Sequence, residues 1–141
     1  MQKYLDIAAG ELGVHETTGA AATARIIEYD ACTTLKATSD EVPWCSSFAN
    51  WVVEMAGGKG TKSAAARSWI GWGEVTRNPQ PGDIVIFDRH DAHNSNAAHV
   101  AFFVGYVGDD LVRVLGGNQS DMVKYANYPK DKVLGYRTDR V

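Results

Sequence analysis

Apolar residues recur at helical spacing in the first half of the chain. The spacing predicts a helix near the N-terminus that stops at Gly13, and a second short helix over residues 24–32. A third helix is predicted from Cys45 to the glycine pair Gly57-Gly58, with one apolar stripe made by Cys45, Phe48, Ala49, Val52 and Met55. A fourth short helix is predicted over residues 63–69. The front of the chain is therefore predicted to be helical.

The periodicity changes after a turn sequence at residues 79–83. Short apolar or alternating runs then predict strands, at residues 84–87, 99–106, 111–118, 122–125 and 133–137. The links between these runs are short, and short links favour antiparallel neighbours. We therefore predict an α+β fold, with N-terminal helices packed on a C-terminal antiparallel sheet of about five strands.

The predicted hairpin around Gly108-Asp109 has a defined register. A two-residue loop and a four-residue loop give the same pairing, and in both His99 lies opposite Asn118. Cross-strand partners lie about 5 Å apart at Cβ, which lets an Asn oxygen accept the imidazole N–H. The same face carries apolar residues against which the Cys45 helix is expected to pack, namely Ala101, Phe103, Val112 and Val114.

Cys45 stands at the predicted start of its helix. The unpaired N–H groups and the positive end of the helix dipole at such a position favour the thiolate, which is the nucleophilic form. A cysteine or a histidine alone is usually structural. Cys45, His99 and Asn118 together indicate a nucleophile, a base and an orienting group for hydrolysis.

Composition limits the other classes of function. A chain of 141 residues with 45% hydrophobic residues fits one domain, which we place at residues 1–141. The net charge of -3 and the lack of a basic block argue against a nucleic-acid-binding protein. The sequence contains no run of membrane-spanning length and no signal-peptide pattern. We expect a monomer that is made in the cytoplasm and does not insert stably into a membrane.

The two cysteines, Cys32 and Cys45, are interpreted as free thiols, because one disulfide is an unusual staple for a chain with this much core-forming sequence. Cys32 has no basic neighbour and no helix start beside it. We therefore interpret it as a small buried hydrophobic residue.

Several segments resemble the CHAP and NlpC-type peptidoglycan hydrolases, in particular the compact branch found among phage endolysins. The segments that carry the likeness are Glu41-Val42-Pro43-Trp44-Cys45-Ser46, residues 63–69, Pro81-Gly82-Asp83-Ile84-Val85, Ala98-His99-Val100-Ala101-Phe102 and residues 114–121. The resemblance implies a papain-like fold, with the nucleophile at the start of a helix and the histidine on the sheet.

Matched residue by residue, Cys45 corresponds to the nucleophile of these families, His99 to the base and Asn118 to the orienting residue. This chain has Gly116 where many CHAP domains carry a glutamate. Some CHAP domains bind calcium upstream of the cysteine, but Ser39-Asp40-Glu41 offers too few oxygen ligands for such a site. We therefore expect no metal and no cofactor.

The chemistry implied is hydrolysis of an amide in peptidoglycan through a thioester on Cys45. The enzyme would be an N-acetylmuramoyl-L-alanine amidase or a peptidoglycan endopeptidase that acts on the cell wall after release or delivery by another system. Substrate contacts are expected from Trp44, Ser46, Trp69 and Gln119.

Two alternatives belong to other classes of function. His90, His93 and His99 with neighbouring aspartates could hold zinc, as in a zinc-dependent wall amidase. Against this, their segment has the composition of a solvated loop and no histidine pair fixed on a helix. A non-catalytic wall-binding module that uses its tryptophans is the other alternative, and it leaves the placement of Cys45 and His99 unexplained.

Overall fold

The computed structural model describes residues 2–14, 26, 28–29, 31–33, 44–63, 65–88, 98–119 and 122–139. Its helices within these ranges are α1 (Gln2–Ala9), α2 (Cys45–Met55) and two 3-10 helices at Ala66–Gly71 and Lys130–Lys132. The strands are β1 (Glu74–Val75), β2 (Ile84–Asp88), β3 (Ala98–Val107), β4 (Leu111–Gln119), β5 (Met122–Pro129) and β6 (Val133–Thr138). No helix in these ranges has the length and apolarity needed to cross a membrane.

The strands form one antiparallel sheet in the order β1-β6-β2-β3-β4-β5. This confirms the predicted α+β class and the antiparallel sheet. In the described ranges the sheet has six strands instead of about five, because the two-residue strand β1 pairs with β6 through Glu74 and Thr138. A segment of two residues is too short to show a hydrophobic periodicity, so β1 is recognised as a strand only by its pairing with β6.

The sheet curls strongly around one of its faces. The rings of Phe87 on β2 and Tyr128 on β5 lie 4.8 Å apart although β3 and β4 separate these strands in the sheet. We call this side the inner face; it buries Val85, Phe87, Ala101, Phe103, Val112 and Val114. Twist and coiling of this kind let a sheet cover its own apolar side chains.

Helix α2 packs on the opposite side, which we call the helix face. Its residues form one buried cluster with Val100, Phe102 and Leu115, and the rings of Phe48 and Phe102 lie 6.3 Å apart. The expectation that α2 covers Ala101 and Phe103 was therefore wrong. Both sides of β3 are apolar, so strand alternation does not indicate which side receives the helix.

The β3–β4 hairpin differs from both predicted loops. Val107 pairs with Leu111, so the loop has three residues, and Gly108 at its start has φ +62°. A shift between Phe103 and Gly105 then restores the predicted pairing of Phe102 with Leu115. A three-residue loop moves the register by one position, and the bulge moves it back.

The helix predictions have mixed outcomes. Helices α1 and α2 are confirmed, although α1 ends at Ala9, before the predicted stop at Gly13, and Met55 at the end of the predicted apolar stripe is 60% exposed. The helix predicted over residues 24–32 lies largely outside the described residues. The helix predicted over residues 63–69 is a shorter 3-10 helix, because Ala65 is still extended and the Ser63 carbonyl bonds to α2.

Candidate active site

Cys45 is the first residue of α2, as the sequence predicts. Its side chain is 5% exposed and belongs to the buried cluster of the helix face. The preceding residue, Trp44, makes no side-chain capping hydrogen bond to the helix. The Trp44 side chain therefore does not cap the N–H groups of the first turn, which lie beside the thiol. Such N–H groups favour negative charge at the start of a helix.

The first turn of α2 rests on strand β4 at Gly117. A Cβ at Gly117 would lie 2.7 Å from Phe48 Cβ and 2.7 Å from Trp44 Cζ3. Only a glycine permits this approach, because Cβ contacts shorter than 3.0 Å do not occur in folded proteins. Gly117 thus sets how closely the start of the helix approaches the sheet.

We expect Gly117→Ala to destabilise the protein by about 1–3 kcal/mol, because the added methyl group overpacks the contact between Phe48 and the strand. Chemical denaturation followed by circular dichroism would measure the change. Gly105→Ala on β3 is the control, since a Cβ there meets nothing within 4 Å. Equal effects of the two substitutions would contradict the close approach at Gly117.

A polar network supports the helix beside Cys45. The Ser46 hydroxyl donates to the Ser63 carbonyl at 2.7 Å and accepts from Trp69 Nε1 at 2.9 Å. Asn50, one turn later, donates through Nδ2 to the Ser46 and Ser63 carbonyls, and its Oδ1 accepts from the Lys62 N–H at 2.8 Å. The segment that follows the helix is thereby tied to the turn that carries Cys45.

Asn50 is not among the residues predicted from the sequence. Its side chain is fully buried and satisfied, which is how a polar residue becomes tolerable inside a core. The signal was present, because Asn50 follows Ser46 by four residues and therefore lies on the same side of the helix.

His99 lies near the start of β3 and is 2% exposed. Its Nε2 lies 2.9 Å from Gln119 Oε1, while the Gln119 amide nitrogen donates to the Lys124 carbonyl. That second bond fixes the orientation of the amide, so Oε1 must accept and His99 Nε2 must carry the proton. The neutral imidazole is therefore the Nε2–H tautomer, with the lone pair on Nδ1.

A bulge in β4 explains how Gln119 comes to face the imidazole. Gly116 pairs with Lys124 and Gln119 with Met122, so β4 contains one residue more than β5 between these pairs. An extra residue reverses the side on which the following side chains point. Asn118 is part of β4, its side chain lies outside the described set, and its role as orienting residue stays a prediction.

Nδ1 of His99 is buried, and no hydrogen-bond partner for it is found among the described residues. A buried nitrogen with a lone pair and no partner is costly in a purely structural site. This nitrogen is the one that can accept a proton.

Cys45 and His99 approach the same end of the sheet from different sides. The imidazole lies with Phe87 and Tyr128 of the inner face, whereas the thiol belongs to the cluster of the helix face. The first turn of α2 rests on Gly117, two residues before Gln119. The first turn of α2 and the imidazole therefore contact β4 at nearby positions, Gly117 and Gln119.

The side chains expected to contact substrate are almost inaccessible. Trp44, Ser46 and Trp69 are 0% exposed, and Gln119 is 2% exposed. Their polar groups bond inside the protein, as described for Ser46, Trp69 and Gln119. Burial of this kind favours a supporting role, and contact with substrate stays a prediction for all four.

Cys32 differs chemically from a reactive thiol. It is partly buried, and its sulfur donates to the Glu28 carbonyl at 3.7 Å. Burial, followed by the hydrogen bond and charge of Glu54, raises the pKa of the Cys32 thiol to about 12. The group therefore stays protonated near neutral pH, where a nucleophile needs the thiolate.

The metal alternatives fall mainly outside the described part of the chain. Residues 39–41, His90 and His93 lie outside the described ranges, so the expected lack of a calcium site and the zinc alternative both stay predictions. Within the described part, no three His, Cys, Asp or Glu side chains come together as a metal site.

Comparison with known proteins gives a family and a fold. No curated protein matches the sequence significantly. A solved structure described as similar to a lipoprotein of the NLP/P60 family, from Staphylococcus aureus subsp. aureus Mu50, aligns with 96% of this chain at 22% identity and a TM-score of 0.56. The aligned chain spans only 40% of that protein.

The fold of this NLP/P60 structure fits the papain-like arrangement expected from the sequence. The CHAP domain model matches residues 37–118, which include both Cys45 and His99. Members of this family are in general cysteine peptidases or amidases that act on peptidoglycan. The match covers more than half of the sequence, and the chain belongs to the CHAP domain family.

Proposed function

We propose that this chain is a cysteine peptidoglycan hydrolase in which Cys45 is the nucleophile and His99 is the base. Gln119 orients the imidazole in this proposal. The observation that carries it is the hydrogen bond from His99 Nε2 to an amide oxygen whose orientation is fixed by Lys124. This arrangement leaves Nδ1 of a buried imidazole as the basic atom.

In the first half of the reaction, Nδ1 accepts the thiol proton and Cys45 Sγ attacks the carbonyl carbon of an amide. The tetrahedral intermediate collapses to a thioester, and the imidazolium gives its proton to the departing amine. Water, activated by the same nitrogen, then hydrolyses the thioester and regenerates the thiol. No metal ion is needed for any of these proton transfers.

Backbone N–H groups at the start of α2 would stabilise the oxyanion. Helix α2 begins at Cys45 without a capping hydrogen bond from the Trp44 side chain. Donors at this position are held by the packing of the first turn on Gly117, so they need no rearrangement as charge develops.

Amide bonds of peptidoglycan are the substrate class that family membership supports. Within it, the bond between N-acetylmuramic acid and L-alanine and the peptide bonds of the stem or cross-link share the same chemistry. We further propose an endolysin-like lytic role for a single monomeric catalytic domain, with release or delivery to the wall by another system.

The choice of mechanism is tested by comparing a chelator with an alkylating agent. Prolonged EDTA treatment is expected to leave lysis of purified cell walls unchanged, and iodoacetamide is expected to stop it through alkylation of Cys45. Cys32 should react slowly near pH 8, because its thiol pKa lies near 12. Stoichiometric zinc, with activity lost in EDTA and restored by metal, would contradict the proposal.

The bond that is cut is identified by mass spectrometry of muropeptides after digestion. An amidase releases intact stem peptides from the glycan, whereas an endopeptidase leaves shortened stems attached. Wall binding without any released fragment would instead support the non-catalytic module.

A further inference from the structure

Two aromatic rings pack on the His99 imidazole. Phe87 on β2 lies 6.4 Å from it between ring centroids at an interplanar angle of 25°, and Tyr128 on β5 lies 5.5 Å from it at 45°. Phe87 and Tyr128 also contact each other at 4.8 Å. The three rings form one group on the inner face, and all of these separations are within the range of favourable aromatic contacts.

We propose that Tyr128 is a positioning residue of the reaction, whose ring holds the His99 imidazole in the plane that bonds to Gln119. This inference rests on the proposed function. Tyr128 belongs neither to the predicted trio nor to the expected substrate contacts, and it follows Cys45 by more than eighty residues.

The position of Tyr128 is set by the sheet and by the turn after it. Tyr128 pairs with Val112 on β4, and the N–H of Lys130 donates to the Asp110 carbonyl at 2.8 Å. The curl of the sheet carries this end of β5 back over β2 and β3, where the ring reaches His99. Tyr128 is half-buried, whereas Phe87 is 2% exposed, so Tyr128 forms the more accessible side of the group.

Aromatic contact restricts the movement of the imidazole. The rings limit rotation about the bond between Cβ and the imidazole, which keeps Nε2 on Gln119 Oε1 and Nδ1 available for the thiol proton. The packing of Phe87 and Tyr128 therefore holds the imidazole in the orientation that the proposed reaction requires.

The test uses Tyr128→Leu, which keeps apolar bulk and removes the ring, and Tyr128→Phe, which keeps the ring and removes the hydroxyl. Tyr125→Ala on the same strand is the matched control, because Tyr125 is exposed and packs against Arg113. Each variant is examined by imidazole ¹⁵N NMR, by the rate of Cys45 alkylation with iodoacetamide, and by wall lysis.

We expect Tyr128→Leu to convert the Nε2–H tautomer into a mixture and to slow alkylation and turnover about fivefold, the factor that corresponds to one aromatic pair. Tyr128→Phe and Tyr125→Ala should keep the wild-type tautomer and rates. An unchanged tautomer in folded Tyr128→Leu would overturn the inference, as would a mixed tautomer in Tyr128→Phe, which would point to the hydroxyl.

The readouts separate this inference from the proposed function. The tautomer is observed without any substrate, so its change in Tyr128→Leu supports the positioning role even if the protein releases no wall fragment. If wild-type protein lyses walls and Tyr128→Leu keeps both the tautomer and the rate, the proposed function stands and the positioning role is wrong.

Discussion

Cys45→Ala and Cys45→Ser are expected to abolish wall lysis, by about 10⁴-fold or more, while the protein stays folded. Replacement of a catalytic nucleophile removes the atom that forms the covalent intermediate, and only background catalysis survives. Both substitutions keep a small side chain at a buried helix start. Release of soluble muropeptides measures the activity, and circular dichroism with thermal unfolding checks the fold.

Cys32→Ser is the matched control for the nucleophile, since it removes the other thiol of the chain. We expect it to retain most of the activity, because the raised pKa of Cys32 keeps that thiol protonated. If folded Cys32→Ser lost activity and Cys45→Ser kept it, the nucleophile would be Cys32 and the role proposed for Cys45 would be wrong. Near-wild-type lysis by both Cys45 variants would remove the thiol mechanism altogether.

The second large effect is expected at His99 and its partners. His99→Ala should lower turnover roughly 10²- to 10⁴-fold, the usual contribution of a positioned base. Gln119→Ala should lower turnover about 10- to 100-fold, because loss of this hydrogen bond leaves the tautomer of His99 unfixed but keeps the base in place. Asn118→Ala should have a smaller effect than His99→Ala. If the bulge in β4 makes Gln119 the hydrogen-bond partner of His99, the effect of Asn118→Ala should also be smaller than that of Gln119→Ala.

The rate of Cys45 alkylation as a function of pH shows whether the imidazole acts on the thiol. If Nδ1 of His99 accepts the thiol proton, His99→Ala should slow alkylation near neutral pH and have little effect at high pH, where the thiol ionises unaided. Identical profiles for wild type and His99→Ala would show that the two residues do not act together. A larger loss in Asn118→Ala than in Gln119→Ala would return the orienting role to Asn118.

The sequence determined the chemically distinctive positions and the class of fold. A thiol at the start of an apolar helical stripe identifies Cys45 and α2, because helix periodicity and the glycine stop are local properties. Each strand predicted from β2 to β6 is present, and all but β5 lie within one residue of their expected bounds; β5 continues four residues beyond its expected end, to Pro129. The segments around Cys45, His99 and Asn118 also carried the resemblance to the family whose model matches residues 37–118.

The tertiary structure decided the partner of His99 and the face that carries the helix. Strand alternation does not predict Gln119 beside His99; a single extra residue in β4 turns its side chain to the imidazole, and a bulge leaves no periodic signal in the sequence. Both faces of β3 are apolar, so only the packing of Phe48 and Trp44 on Gly117 selects the helix face. The contact of Tyr128 with His99 arises from the curl of the sheet, and such a contact between strands that are not neighbours is fixed only when β2 to β5 are assembled.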